Sequence, residues 1–227
     1  MNISTPYRTQ EEGSLASSSF YNQVYAWMCA GLAITAGVAA VTAGNIHLMK
    51  VLQNGWALAG IIILQLILVG VISAATKSLN SLAATVLFLL YAAMNGLTLS
   101  VIFLVYAKST IASAFLVSAG TFGAFSVYGA VTKKDLTAVG SLCIMALFGL
   151  IVAMIVNIFV ANSFMDWIIN IFGVLIFVGL TAYDTQKLRD MARQGERMAI
   201  VGSLTLYLDF VNLFLFILKL MGGKSKD

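Results

Sequence analysis

Seven long apolar runs divide the chain, and they restrict its fold more than any other feature of the sequence. Each is close to the ~20 residues that an α-helix needs to cross the hydrocarbon core of a bilayer. Because backbone polar groups must be hydrogen-bonded within lipid, such runs predict helices, whereas a barrel requires short alternating segments. Only 10% of the residues are charged, against roughly 25% in soluble domains. The predicted fold class is therefore all-α, a polytopic membrane protein with a seven-transmembrane-helix bundle.

The polar N-terminal end precedes the first apolar run. Residues 1–20 are predicted to form a short cytosolic tail, and residues 21–227 a single seven-helix transmembrane domain. The first fifteen residues lack the basic start and short apolar core of a cleavable signal peptide, so the first span is expected to act as an uncleaved insertion signal. The predicted spans are Val24–Ala43, Trp56–Ala75, Leu82–Tyr106, Ile111–Val131, Leu136–Ala161, Trp167–Asp184 and Ser203–Met221.

Lysine and arginine residues predict the orientation of these spans. With the N-terminus in the cytosol, cytosolic segments hold eight of them and external loops two, which is a clear positive-inside bias. The C-terminal tail does not fit this bias, because seven full spans place Lys219, Lys224 and Lys226 outside. Either this tail is an exception or the last segment is re-entrant. The 18 residues from Leu204 to Met221 make about 27 Å of helix, which favours seven spans.

Two of the nine acidic residues lie within apolar runs. Asp184 closes the sixth run in T-A-Y-D-T-Q, and Asp209 lies inside the seventh in L-Y-L-D-F-V-N-L-F. An ionisable residue inside a span is costly, usually faces the protein interior and indicates a functional site. Thr205, Asn212 and Phe216 share a helix face with Asp209. This polar stripe is expected to face a cavity or a partner helix, although Thr205 and Asn212 are equally suited to hydrogen-bonding between helices.

Whether the two carboxyl groups meet depends on the connection between the last two spans. A loop is expected from Thr185 to Gly202, and a helix starting at Ser203 as N-cap places Asp209 about 9 Å into the last span. The depths of Asp184 and Asp209 then differ by one to two helical turns, which helix tilt can remove. Two carboxylates in one dry site would share a proton and titrate as a pair. With amide, hydroxyl and water oxygens they would make a weak, transient calcium site, suited to permeation.

Further polar residues are expected to support such an ion pathway. No nucleotide site, haem or catalytic metal is predicted, so the expected cofactor set is empty apart from calcium as a permeant ion. The expected partners are the lipid bilayer, calcium and protons, and not nucleic acid. The supporting residues are Asn212, Thr205, Tyr183, Tyr207, Asn95, Gln65 and Lys77.

These motifs resemble those of the Bax inhibitor-1 family, also called the transmembrane Bax inhibitor motif family. The resemblance covers nearly the whole chain and includes the seven-span layout, T-A-Y-D-T-Q and L-Y-L-D-F-V-N-L-F, with weaker matches at N-G-L-T-L-S and V-T-K-K-D-L. The short N-terminus and loops are similar to those of bacterial members, which implies a bacterial inner membrane. The resemblance also implies a pH-sensitive calcium leak rather than an enzyme, with Asp184 and Asp209 as the pH-sensing pair.

The second span departs from the pattern of some members of that family. Those members carry an acidic residue in mid-span and a later arginine that latches onto the aspartate pair. Here Gln65 stands in place of the acid, and Thr76 and Lys77 stand where the arginine is expected. Lysine cannot reproduce the planar, bidentate fork of arginine. The resemblance therefore implies neither the latch nor calcium selectivity for this chain.

Three other functions remain as alternatives. An intramembrane aspartyl protease also places Tyr-Asp on one span and a second Asp on the next, as a general acid and base. However, Asp209 lacks the Gly-X-Gly lead-in of those enzymes, and a chain whose only proline is Pro6 cannot contain their Pro-Ala-Leu element. A proton-coupled secondary transporter would use the two aspartates as a proton relay. A structural or regulatory membrane protein would tolerate the change Asp209→Asn.

Overall fold

The structure of the chain, a computed structural model, describes residues 5–74, 81–195 and 198–222. Over these ranges the chain forms helices and no strand. In chain order the helices are α1 (Thr5–Ala43), α2 (Ile46–Leu52), α3 (Gly55–Ala74), α4 (Ser81–Leu99), α5 (Ile102–Val105), α6 (Lys108–Val131), α7 (Thr137–Val160), α8 (Ser163–Ala192) and α9 (Met198–Met221).

Seven helical segments of the described ranges are long and apolar enough to cross a membrane, which confirms the predicted all-α class. Their apolar side chains are largely exposed on the protein, as expected where lipid replaces water as the solvent. The last segment is the exception, because most of its residues are buried inside the protein. The segments are Ser18–Ala43, Gly55–Ser73, Leu82–Val105, Lys108–Val131, Thr137–Val160, Ser163–Ala192 and Met198–Met221.

The connection between the last two spans differs from the prediction. The expected loop from Thr185 to Gly202 was wrong, because α8 continues to Ala192 and α9 begins at Met198. The charged stretch after Asp184 has low hydropathy, but it buries Leu188 and Met191 on one side of the helix. Because this stretch is amphipathic, the helix continues beyond the apolar residues of the span.

The start of α9 also corrects the prediction for Ser203, which is not an N-cap. Ser203 lies inside α9, where its hydroxyl is 2.6 Å from the carbonyl oxygen of Ala199 and 2.9 Å from that of Val24. The turn before α9 depends on Gly195, whose φ of 102° lies in a region that other residues rarely adopt.

The third span is interrupted, although its sequence predicts one continuous helix. Helix α4 ends at Leu99 and α5 begins at Ile102. Between them the hydroxyl of buried Ser100 donates to the carbonyl oxygen of Leu97 at 2.6 Å. Serine side chains that bond to nearby backbone carbonyls compete with the helical ladder and bend helices.

The described residues pack as two units. Unit 1 contains the chain up to Val101 together with Leu188–Leu204. Within unit 1, α4 packs against α1 and α3. The hydroxyl of Thr35 lies 2.9 Å from the carbonyl oxygen of Ala92, and the missing side chain of Gly96 leaves space for the backbone of α1. Close packing of small residues with a hydroxyl contact is typical of helices in membranes.

Unit 2 contains Ile102–Lys187 and the described residues from Thr205 onward. Within it, two glycines let α8 approach its neighbours. A side chain at Gly129 of α6 would overlap the backbone of Ala182, and one at Gly140 of α7 would overlap the ring of Tyr183. The part of α8 up to Lys187 and the part of α9 from Thr205 onward lie in the same packing unit as α6 and α7, and unit 2 therefore holds both Asp184 and Asp209.

Candidate functional site

Asp184 and Asp209 lie side by side in unit 2, where their carboxyl groups are in hydrogen-bonding contact. Asp184 stands about two turns before the end of α8, and Asp209 about three turns after the start of α9. The longer helices therefore reduce the predicted depth difference between the two residues by about half, to roughly 4.5 Å. Because an ionised carboxylate only accepts hydrogen bonds, a bond between two carboxyl groups requires a proton on one of them.

The two aspartates differ in their surroundings. Asp209 is only 4% exposed, and its Oδ2 atom has no hydrogen-bond partner among the described residues. Asp184 is half-buried and lies close enough to Lys187 for electrostatic attraction. Burying an isolated charge is costly unless the charge is paired. The pair therefore combines a dry carboxyl group on α9 with one on α8 that faces a cation.

Aromatic rings close the site on the side of α6. The ring of Phe210, next to Asp209, makes edge-to-face contacts with Phe115 and Phe122 at centroid distances of 5.4 and 5.5 Å. Such pairs are favourable contacts that also exclude water. They help to keep this stretch of α9 dry.

The residues around Asp184 connect α8 to four parts of unit 2. The ring of Tyr183 packs on Gly140 of α7, and Asp184 contacts Asp209 of α9. The hydroxyl of Thr185 lies 3.0 Å from that of Ser126 on α6, and both residues are buried. The motif T-A-Y-D-T-Q is therefore a packing junction as well as the position of an acidic residue.

Gln186 makes the fourth connection, to the segment between α6 and α7. Its Oε1 atom accepts the backbone N–H of Leu136, and its Nε2 atom donates to the carbonyl oxygen of Lys134, both at 2.8 Å. Three of these residues, Ser126, Thr185 and Gln186, were not predicted from the sequence as site residues. The signal was present for Gln186, because it belongs to T-A-Y-D-T-Q and its partners belong to V-T-K-K-D-L.

The other polar residues predicted on α9 are half-buried or fully buried. The amide of Asn212 donates to the carbonyl oxygen of Leu208 at 2.8 Å, so it bonds to its own helix. Thr205 is half-buried and Tyr207 is fully buried. Of the predicted stripe, Asp209 is in hydrogen-bonding contact with Asp184 through its carboxyl group.

Gln65 and Asn95 both contact the hydroxyl of Thr98 in unit 1. The amide of Gln65 on α3 donates to the hydroxyl of Thr98 on α4 at 3.3 Å. That hydroxyl lies 2.9 Å from the backbone carbonyl oxygen of Asn95 and 3.4 Å from its side-chain oxygen. These residues therefore form a polar contact between two spans of unit 1. Lys77, another of the predicted supporting residues, lies outside the described residues.

Metal binding at the site would rest on the two carboxyl groups. Across the described residues, no group of three or more His, Cys, Asp and Glu side chains is placed to hold an ion. Calcium prefers six to eight oxygen ligands, so two carboxylates with water would hold it weakly. The arrangement is better suited to holding and releasing a proton than to storing a metal.

Comparison with known proteins identifies the family. A model of the family described as "Inhibitor of apoptosis-promoting Bax1" matches residues 17–226 of the chain. The chain belongs to the Bax inhibitor-1 family. The resemblance inferred from the motifs is thereby confirmed.

Bacterial relatives match the chain over nearly its whole length. The inner membrane protein YbhL of Escherichia coli K12 is 46% identical over 215 residues, which cover 91% of this chain and 92% of that protein. A protein of Deinococcus radiodurans is 45% identical over 225 residues, 96% of each chain. A protein of Borreliella burgdorferi is 42% identical over 228 residues, covering 96% of this chain and 98% of the other.

Membership of the Bax inhibitor-1 family agrees with the seven apolar helices, so the chain is an integral membrane protein. The E. coli relative is named as a protein of the inner membrane. Neither that name nor the family description states an enzymatic activity. Membership is consistent with a role as a membrane channel or transporter.

Proposed function

We propose that this Bax inhibitor-1 family protein is a pH-sensitive, calcium-permeable leak channel gated by Asp184 and Asp209. One observation carries the proposal, namely the contact between two carboxyl groups on neighbouring spans. A carboxyl pair that shares a proton joins α8 to α9. When the proton is lost, two negative charges repel each other in a dry environment, where repulsion is strong.

Loss of the proton thus has two effects that favour ion passage. Repulsion between the carboxylates separates α8 from α9, and the same negative charges attract a cation. Lys187 lies near Asp184, and its single positive charge offsets only one of the two negative charges. Weak coordination by two carboxylates allows calcium to leave again, which conduction requires.

The proposed orientation places the N-terminus in the cytosol, according to the positive-inside rule. Three cationic residues of unit 2 then lie on the cytosolic side, two in the α6–α7 segment and one on α8 close to Asp184. Cytosolic pH would then control the pair. These cationic residues are Lys133, Lys134 and Lys187.

The proposal is tested by calcium flux into liposomes that contain the purified protein and an enclosed calcium indicator, over a series of pH values. Wild-type flux is expected to change with pH, while Asp184→Asn and Asp209→Asn weaken this dependence because asparagine cannot lose a proton. Asp190→Asn is the matched control, since Asp190 is exposed on α8 and pairs with Arg193 at 3.6 Å. Its pH profile should match that of the wild type.

An unchanged pH profile in both asparagine variants would contradict the proposed sensor. Flux that saturates with calcium and requires an opposing proton gradient would indicate an exchanger instead of a leak. A leak dissipates a calcium gradient in symmetric pH, so the same liposomes without a proton gradient separate the two functions.

A further inference from the structure

A polar cavity lies in unit 2, at the end of α8 that is distant from Asp184. Its volume is about 500 Å³, and it forms where α7 ends, α8 begins and α9 ends. Asp166 lines the cavity, and the 18 residues from there to Asp184 make about 27 Å of helix. That length is close to the ~30 Å thickness of the hydrocarbon core. The cavity and the aspartate pair therefore lie near opposite surfaces of the membrane.

The cavity contains a buried hydrogen-bond acceptor without a partner. Asn170 is 2% exposed, and its Nδ2 atom donates to Oδ2 of Asp166 at 3.4 Å. Because a carboxylate only accepts hydrogen bonds, this contact sets which way the amide points. The Oδ1 atom of Asn170 is left with no partner among the described residues. A buried oxygen in this state favours a ligand that brings an N–H or O–H group.

The charges around the cavity restrict what that ligand can be. Asp166 makes no ion pair within the described ranges, and Lys219, in the last turn of α9, lines the same cavity. A bare cation would be repelled by Lys219, and a bare anion by Asp166. A ligand that carries an ammonium group and an anionic group fits both residues.

The surroundings of the cavity favour a lipid as the source of this ligand. Trp167 also lines the cavity, is 55% exposed and stacks on Phe164 at a centroid distance of 6.3 Å. Exposed tryptophan at the end of a span is typical of the level of the lipid headgroups. The opening is therefore placed where headgroups are concentrated.

We propose that this cavity binds the headgroup of a lipid that carries a primary ammonium group beside a phosphate. The ammonium group donates hydrogen bonds to the carboxylate of Asp166 and to Oδ1 of Asn170, and the phosphate pairs with Lys219. A quaternary ammonium headgroup has no N–H donor and cannot satisfy Asn170. This proposal does not rest on the proposed ion pathway. Lipid binding to the cavity can be measured without any ion flux.

The test is native mass spectrometry of the purified protein with phosphatidylethanolamine or phosphatidylcholine of identical acyl chains. Wild-type protein is expected to bind one phosphatidylethanolamine about tenfold more tightly than phosphatidylcholine, which is ~1.4 kcal/mol. Asp166→Asn and Asn170→Leu are each expected to remove most of this preference. Asp190→Asn, on the exposed surface of the same helix, is expected to retain it.

Three results would overturn the proposal. One is equal binding of the two lipids by the wild type, which needs no variant to fold. Another is equally tight binding of phosphatidylglycerol, because phosphate alone would then account for the affinity. The third is displacement of the bound lipid by free O-phosphoethanolamine at the same concentration, which would assign the site to a soluble ligand of the same chemistry.

Discussion

The backbone N–H of Leu136 donates to the side-chain oxygen of Gln186 at 2.8 Å, across 50 residues of sequence. Through this bond and the one to Lys134, Gln186 holds the segment between α6 and α7 against α8. Asp184 stands two residues earlier on α8. A movement of Asp184 away from Asp209 would therefore act on the α6–α7 segment as well.

Replacing Gln186 by leucine is expected to loosen that segment. The change leaves one N–H and one carbonyl group without their partner, which costs about 1–3 kcal/mol at a buried site and less here because Gln186 is only half-buried. Hydrogen exchange of the Leu136 amide should become faster. Gln186→Glu should protect that amide better than leucine does, because a carboxylate still accepts its N–H.

Gln194 provides the control for that measurement, since its amide donates only to the exposed carbonyl oxygen of Asp190 at 3.3 Å. Gln194→Leu is expected to leave exchange between α6 and α7 unchanged. Equal exchange at Leu136 in wild type and Gln186→Leu would show that the bond does not restrain the segment.

Replacement by alanine is expected to change the free energy of unfolding differently at two glycines of α6. At Gly129 a Cβ atom would overlap the carbonyl group of Ala182, whereas at Gly120 it meets no atom within 4 Å. Gly129→Ala is expected to lower the free energy of unfolding by about 1–3 kcal/mol, because the backbones of α6 and α8 must separate. Gly120→Ala should leave it unchanged or raise it by about 0.5–1 kcal/mol.

The measurement is thermal unfolding of both variants in the same detergent, followed by tryptophan fluorescence. The midpoint should fall for Gly129→Ala only. Equal midpoints for the two variants would mean that α6 and α8 do not approach as closely as the structure describes.

The phenol of Tyr106 is expected to titrate at higher pH than a free tyrosine. Burial, followed by the negative charge of Asp166, raises its pKa above the ordinary value of 10.0. The raised pKa also makes the stability of the folded protein depend on pH. The contribution of the neutral phenol is fully present below pH 10 and is lost as the pH rises through the raised pKa. Asp166→Asn should lower this pKa part of the way.

Tyr106 can be followed by the ultraviolet difference between the titrations of wild type and Tyr106→Phe. As a control, the titration of Tyr106 in a protein that carries Asp190→Asn should match that in the wild type. If Asp166→Asn leaves the titration of Tyr106 unaltered, the two residues are not close enough to interact, which would contradict the described geometry at the start of α8.

Transition-state inhibitors of aspartyl proteases are expected not to bind this protein. Paired carboxyl groups are common to those enzymes and to the site described here, but the Gly-X-Gly lead-in and the Pro-Ala-Leu element are absent from the sequence. Binding is measured by the shift in thermal midpoint with and without the inhibitor. A shift that disappears in Asp209→Asn would establish the protease as the better assignment.

Several features of the site could be predicted from the sequence, and others could not. Asp184 and Asp209 stand out because acidic residues are rare in apolar runs. Their contact could not be derived, because it depends on where α8 ends and α9 begins. The stretch around Leu188 is as highly charged as a loop, but its apolar residues are spaced as in an amphipathic helix. It is helical in the structure because its apolar side is buried.

The sequence by itself determined the class of this protein, because backbone groups in lipid must bond within each span and this requirement sets the length and hydropathy of every segment. It also determined which side chains can ionise. Only the tertiary structure decided that Asp184 contacts Asp209, that Gln186 holds Leu136, and that Asn170 keeps an unpartnered oxygen. The reason is that such contacts depend on helix ends and rotations, which are set by packing between spans and not by the hydropathy of one span.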